Sequence, residues 1–157
     1  GAEFDAFVIC LGIGTNAALK PLGIKLPIYP MKGYSITVPS TAHAPKISIT
    51  DESRRIVYST LGSHLRVAGV AEFNGYNMDI DEEIIASVVS GAKTDFPLSA
   101  NYDSPQKWCG LRPMTPSTVP IIEKSKKFDN LYFNTGHGML GWTLAAGSAQ
   151  RLAHLMA

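Results

Sequence analysis

The hydrophobic pattern changes period twice along this chain, and that change limits the folds open to it. Near the start, Ala6-Phe7-Val8-Ile9-Cys10-Leu11 is an unbroken apolar run closed by Gly12, which predicts a strand buried on both faces. Residues 15–20 then suit a short helix that Pro21 and Gly23 end, and Pro27, Pro30 and Gly33 punctuate a linker. The next segments alternate instead. Residues 34–38, 46–50, 55–60 and 64–70 read as four short strands with one wet face, and Gly62-Ser63 reads as a hairpin turn. Ile80, Ile84, Val88 and Ala92 recur every four residues, with Ile85 and Val89 alongside, predicting a helix packed on that sheet. Asp79 is its expected N-cap, with Glu82 as the capping-box partner.

Past Trp108 the chain returns to strand and loop, broken by Pro113, Pro116 and Pro120. Leu131-Tyr132-Phe133-Asn134 is a last short strand, followed by a helix to the C-terminus. On that helix Thr143, Gln150 and His154, with Arg151 beside them, fall on a polar face, and Ala145, Ala149, Leu152 and Met156 on an apolar one. The two ends are of one layer type and the middle of another. The fold class is therefore α+β, α/β remnants flanking an antiparallel-sheet domain, in a discontinuous two-part architecture.

Composition narrows the function. Of 157 residues, 45% are hydrophobic and 17% charged, enough to build a core. Fourteen basic and thirteen acidic residues leave a net charge of +1, which argues against a nucleic-acid partner. No apolar run approaches the roughly 20 residues of a membrane-spanning helix. The chain opens on Gly1, and a strand pattern starts at Ala6, which points to a piece of something longer. Cys10 and Cys109 lie far apart, without C-x-x-C spacing, and read as two buried thiols in a reducing cytoplasm, with one long-range disulfide as the alternative; Cys10, inside an apolar run, reads as inert.

Three constellations can carry chemistry. Gly12-Ile13-Gly14-Thr15-Asn16-Ala17 fits G-x-G-x-x-A, in which glycines let the backbone approach a pyrophosphate. The following helix is cut by Pro21, and no acid stands about 20 residues on to hold a ribose. A turn that touches a cofactor from another direction and a turn without a ligand both remain open. Gly136-His137-Gly138-Met139-Leu140-Gly141-Trp142-Thr143 joins a strand to a helix and aims bare N–H groups and a helix dipole at one spot. That spot suits a group that becomes anionic, such as a reduced flavin, although tight packing alone also explains the glycines. No other histidine lies at ligand spacing from His137, so no metal site is expected. In Gly110-Leu111-Arg112-Pro113-Met114-Thr115-Pro116, Pro113 keeps Arg112 extended, and its guanidinium fork matches a carboxylate. A surface ion pair is the alternative reading.

The strings CLGIGTNAALKPLGIKLPIYPMKGYSIT, RRIVYSTLGSHLRVAGVAEFNGYN, WCGLRPMTPSTVPII and NLYFNTGHGMLGWTLAAGSAQRLAHLM resemble the C-terminal part of the FAD-dependent D-amino acid dehydrogenase small-subunit family. That family lies within the D-amino acid oxidase and glycine oxidase superfamily. The resemblance runs over nearly the whole chain, and GLRPMTP and GHGMLGWT are its most specific parts. It implies that residues 1–30 are a late segment of an FAD-binding domain, 31–110 an inserted substrate domain, and 111–157 the return to the FAD-binding domain. It implies substrate contacts from Arg112, Tyr58 and His137. It places Gly12 and Gly14 near the adenosine half of FAD. It places Gly136, Gly138, Met139, Leu140, Gly141, Trp142 and Thr143 facing the isoalloxazine.

The activity implied is oxidative deamination of D-amino acids to 2-oxo acids and ammonia, by hydride transfer to FAD from a substrate whose carboxylate an arginine clamps. No residue is assigned as a catalytic acid or base. A respiratory electron acceptor is implied, at the inner face of the bacterial cytoplasmic membrane, together with a cytoplasmic location. The family's N-terminal pyrophosphate cradle has no counterpart in this sequence, so weak FAD binding and self-association of the chain are expected. A glycine or sarcosine oxidase using oxygen, and a non-catalytic binding module, are the competing readings.

Overall fold

The alternating middle segments pair in register around a two-residue turn. In the computed structural model, which describes residues 3–157, Gly62 takes φ +60°, a left-handed conformation that glycine adopts without penalty. Gly1 and Ala2, where the first implied segment starts, lie outside the described residues. The turn joins β4 (Ile56–Leu61) to β5 (His64–Glu72), with Leu61 opposite His64. Going along the chain, the earlier strands are β1 (Phe7–Ile9), β2 (Tyr29–Pro39) and β3 (Ile49–Asp51). The later ones are β6 (Gln106–Met114), β7 (Ile121–Lys124) and β8 (Leu131–Thr135). The helices are α1 (Thr15–Leu19), α2 (Glu82–Asp95) and α3 (Gly141–Met156). The architecture is α+β, with one five-stranded sheet in the order β3-β4-β5-β2-β6 and one three-stranded sheet in the order β1-β8-β7.

The chain divides into two compact units. One comprises residues up to Met31 together with Arg112–Ala157, and the other comprises Lys32–Leu111. In the second unit Tyr34, Ile36 and Val38 of β2, Ile56 and Tyr58 of β4, and Leu65 and Val67 of β5 turn one sheet face inward. Ile85, Val88 and Ala92 of α2 close that face. Period two on the strands and period near four on the helix make this core, as the alternation predicts. In the first unit a smaller cluster gathers Leu19, Leu26, Ile28, Leu131 and Phe133.

Several expectations are corrected. Helix α2 starts two residues later than an N-cap at Asp79 implies. Its N-cap is Asp81, whose Oδ1 accepts from the N–H groups of Glu83 and Ile84 at 2.9 and 3.2 Å. Asp79 is engaged otherwise, its N–H donating to Asn77 and its carbonyl accepting from Lys32 Nζ. Pro30 and Gly33 belong to β2 rather than to a linker, and the register shifts between Lys32 and Tyr34, the kind of irregularity a strand glycine tolerates. Residues 46–48 stay outside β3. Side-chain bonds replace the ladder there: Thr60 donates to the Pro45 carbonyl, and Ser48 and Ser59 share a hydrogen bond.

The first unit departs further. Strand β1 has three residues, pairs in parallel with β8, and leaves Phe7 47% exposed, so it is not buried on both faces. Cys10 is exposed rather than buried, while Cys109 is buried, and both are free. Helix α3 turns Leu144, Ser148 and Leu152 inward and leaves Ala145, Ala149 and Met156 exposed. The covered stripe runs through the two leucines with Ser148, 5% exposed, between them at i+4 spacing, where it hydrogen-bonds His137 of the preceding loop. No helix among the described residues is long and apolar enough to cross a membrane.

Candidate functional site

The first glycine turn is built for packing. Gly12 has φ +52° and sits 3.7 Å (from an ideal Cβ) from Pro113, whereas Gly14 has an ordinary φ of −77° and space beside it. Residues Gly12–Gly14 form a single 3-10 turn, and α1 after it has five residues. Thr15, fully buried, shares a hydrogen bond of 2.9 Å with Thr135 at the end of β8. Asn16 makes a reciprocal pair of bonds with the Leu26 backbone. So short a helix provides little dipole, and the turn offers no anion cradle of its own.

The second junction differs. Gly136 has φ +76°, and a Cβ there would stand 2.7 Å from Thr115 Cγ2. Gly138 has φ +56°, a Cβ would stand 2.7 Å from Met114 Sδ, and its N–H donates to the Pro113 carbonyl at 2.9 Å. These glycines let the loop lie against the end of β6. The loop then enters α3, sixteen residues long, with no side-chain cap and no acid in its first turn. The opening N–H groups of a helix have no intrahelical acceptor, so this end can receive negative charge. Met139 (67%), Leu140 (52%) and Trp142 (96%) are exposed around it, as is Thr143.

His137 is held rather than presented. Its Nε2 lies 2.9 Å from Ser148 Oγ, and burial pushes its pKa below the usual histidine value. This bond ties the loop to the third turn of α3. Arg112 is half-buried in β6, and burial lowers its pKa; a guanidinium stays charged all the same. Tyr58, expected to touch substrate, is a core residue. It is 0% exposed, its hydroxyl donates to Asp95 Oδ2 at 2.6 Å, and its ring meets Phe96 edge-on. Burial and the Asp95 carboxylate raise its pKa, so it stays a neutral phenol. Tyr58 and Arg112 belong to different units. Cys10, although exposed, has a thiol pushed up by partial desolvation, the opposite of an activated nucleophile. A groove between α2 and the segment before β6, lined by Ile85, Val89, Lys93, Tyr102, Asp103 and Lys107, includes none of these residues.

Two features escaped sequence reasoning. Ser148 carried no signal, because a serine at an inward helix position reads as a defect in an apolar stripe. Asn134, in the strand that feeds the loop, has a buried Oδ1 without a hydrogen-bond partner. Leaving such an acceptor unmet costs about 1–3 kcal/mol, so a donor from outside the described residues would be welcome. An uncapped helix start and an orphaned acceptor close by in sequence fit a cofactor with N–H donors and a site of developing charge. The Gly12 turn fits a contact only.

Residues 1–155 match the family model described as DAO, FAD dependent oxidoreductase. The chain is 46% identical over 154 residues to a D-amino acid dehydrogenase of Dechloromonas aromatica (strain RCB), covering 97% of this chain and 37% of that protein. It is 43% identical over 155 residues to a D-amino acid dehydrogenase of Chromohalobacter salexigens, with 98% and 37% covered. The chain thus spans little more than a third of the length of these relatives. A glycine oxidase from Bacillus cereus ATCC 14579 is similar in structure, with a TM-score of 0.79 at 26% identity, over 96% of this chain and 42% of that one.

Proposed function

Because the chain belongs to the DAO family of FAD-dependent oxidoreductases, we propose that it is part of a flavoenzyme that oxidises D-amino acids to 2-oxo acids and ammonia. The observation that carries this is the 46% identity to a D-amino acid dehydrogenase along 97% of the chain. Identity to the glycine oxidase is 26%, which favours the dehydrogenase reading and, with it, a respiratory acceptor over oxygen. In this reading the unit of residues up to Met31 and Arg112–Ala157 holds cofactor, and Lys32–Leu111 serves the substrate.

FAD, when bound, supplies the hydride-accepting chemistry. The residues of this chain bind and orient. Arg112 takes the substrate carboxylate in its fork, and its half-buried position strengthens that charge-assisted pair. The backbone amides of Gly141, Trp142 and Thr143 receive developing negative charge at the start of α3. Gly136 and Gly138 set the path of the loop, and the His137–Ser148 bond holds it to the helix. Met139 and Leu140 offer apolar surface beside it. Gly12 and Gly14 are kept as a secondary contact to the adenosine half, and Tyr58 is left to the core. Work at the inner face of the cytoplasmic membrane and self-association complete the reading.

The test is anaerobic. The complete flavoprotein of which this chain is proposed to be part is loaded with FAD, and D-alanine or L-alanine is added to it; the chain alone is expected to be inactive. Loss of the oxidised flavin's visible absorption with the D-isomer alone is the expected result, and bleaching by L-alanine or by neither overturns it. In the complete enzyme, Arg112→Lys loses the bidentate geometry, a charge-assisted hydrogen bond of about 1.5–3 kcal/mol, so kcat/KM falls at least about tenfold. Unchanged kinetics would return Arg112 to an ordinary ion pair.

A further inference from the structure

Strand β5 contains a backbone conformation that strands do not ordinarily hold. Val70 has φ +61°, in the left-handed region, where a β-branched side chain is strained. The ladder with β2 shows what this conformation does. Tyr34 pairs with Gly69, but Lys32, two residues back, pairs with Glu72, three residues on, so β5 holds one residue more than β2 across this step. A bulge with a left-handed residue ordinarily takes glycine there, and this one takes valine.

The extra residue decides where Glu72 points. Side chains alternate along a strand, so Gly69 and Glu72 would fall on opposite faces of a regular one. With the bulge, Glu72 comes to the side of Lys32 and Tyr34. Its Oε2 lies 3.0 Å from Lys32 Nζ and accepts from the Tyr34 hydroxyl at 2.5 Å, and its Oε1 accepts from Asn74 Nδ2 at 2.9 Å. Lys32 is 1% exposed, and an ammonium so buried needs such partners. Its Nζ also donates to the Asp79 carbonyl at 2.9 Å. One cation therefore holds Glu72 and Asp79, the residues that bracket 73–78. Within that segment Gly75 turns at φ +54°, the Asn77 N–H donates to the Asn74 carbonyl, and the Cys109 thiol donates to the Met78 carbonyl at 3.1 Å. Phe73, Tyr76 and Met78 are exposed, so burial of these side chains does not set the shape of the loop.

We propose that Lys32 locks the 73–78 loop into one preformed shape, and that the left-handed bulge at Val70 serves to bring Glu72 into this lock. The strain at Val70 is offset by an ion pair and hydrogen bonds that an unbulged strand would not form. The device goes beyond the proposed activity and does not depend on it: it fixes a surface loop of the Lys32–Leu111 unit whatever that unit binds.

Two measurements on the complete flavoprotein test this, and neither needs turnover. Hydrogen exchange followed by mass spectrometry, peptide by peptide, separates the loop from β4 and α2. In Lys32→Met the amides of residues 73–79 should exchange at least about tenfold faster, with β4 and α2 unchanged within about threefold. Glu72→Gln keeps a neutral acceptor in place and should give a smaller increase in the same segment. Circular dichroism checks that each variant folds, and Glu72→Gln carries the test if Lys32→Met does not fold. Unchanged exchange of the loop in a folded variant, or an equal rise in β4 and α2, overturns the lock. Thermal melts then compare Val70→Gly with Val70→Ala, both of which lose the valine's packing. At an ordinary strand φ the alanine variant is the more stable, but at φ +61° the glycine variant should have the higher Tm. An alanine variant that melts at the same temperature as the glycine variant, or above it, overturns the strained bulge.

Discussion

The two units bury their apolar residues very differently. In Lys32–Leu111, thirteen residues form one buried cluster between a sheet face and α2. In the other unit the corresponding cluster has five, β1 is three residues long, and α3 fully buries only Ser148. One unit carries its own core. The other adds side-chain hydrogen bonds to its small cluster: Thr15 to Thr135, Asn16 to Leu26, His137 to Ser148. Local stability should follow that difference, since regions with few buried contacts open at lower free energy.

Deleting core atoms tests it most severely. Ile36 is 0% exposed inside the larger cluster, and Ile36→Ala should cost about 2–5 kcal/mol in a urea melt. Leu144→Ala, at a half-buried position of α3, should cost clearly less, because the site already touches solvent on one side. Similar losses at both positions would erase the distinction between the units.

The same difference explains what could be read from the sequence. Alternation at residues 34–38, 55–60 and 64–70 and the stripe through Ile85, Val88 and Ala92 were legible because those side chains meet one another in this unit. The run at Ala6 misled, because an apolar run announces burial only where neighbours exist on both sides, and β1 pairs with β8 alone. On α3 the polar–apolar division was right for Leu152, which turns inward beside Leu144 and Ser148, and for the exposed polar residues, but Ala145, Ala149 and Met156 are exposed as well. Among the site residues, the Gly136 junction and the extended Arg112 could be seen in the order of residue types. The burial of Tyr58 could not: a tyrosine on an alternating strand faces core or solvent according to register, and a shift by one residue reverses it.

A second comparison is between the two glycine motifs. Gly136→Ala forces a Cβ into Thr115, a buried and β-branched neighbour, and strains φ +76°, so it should cost about 1–3 kcal/mol. Gly14→Ala meets nothing nearer than 3.8 Å at φ −77° and should leave stability unchanged within about 0.5 kcal/mol. Thermal melts of the two variants decide the matter. A costly Gly14→Ala would mean that the first turn is under a constraint its packing does not reveal.

The smallest effect concerns pH and belongs to the loosely built unit. Burial lowers the His137 pKa from its usual 6.5, so the folded protein binds this proton less readily than the unfolded chain. The sign follows: the contribution is fully present above pH 6.5 and is lost as pH falls through the lower, folded value. The hydrogen bond does not set this slope, because a protonated imidazole can still donate to Ser148. Ser148→Ala should therefore lower stability by about 0.5–1.5 kcal/mol at pH 7.5 and by the same amount at pH 5.5. His137→Gln should instead remove the pH-dependent part, which is isolated by subtracting its melting temperatures from those of the parent at each pH. Stability of the parent that falls between pH 7.5 and 5.5 no more steeply than that of His137→Gln would show that desolvation of the imidazole does not contribute. In that case the loop would be held on α3 by the Ser148 bond and the Gly138 contact to Pro113 alone.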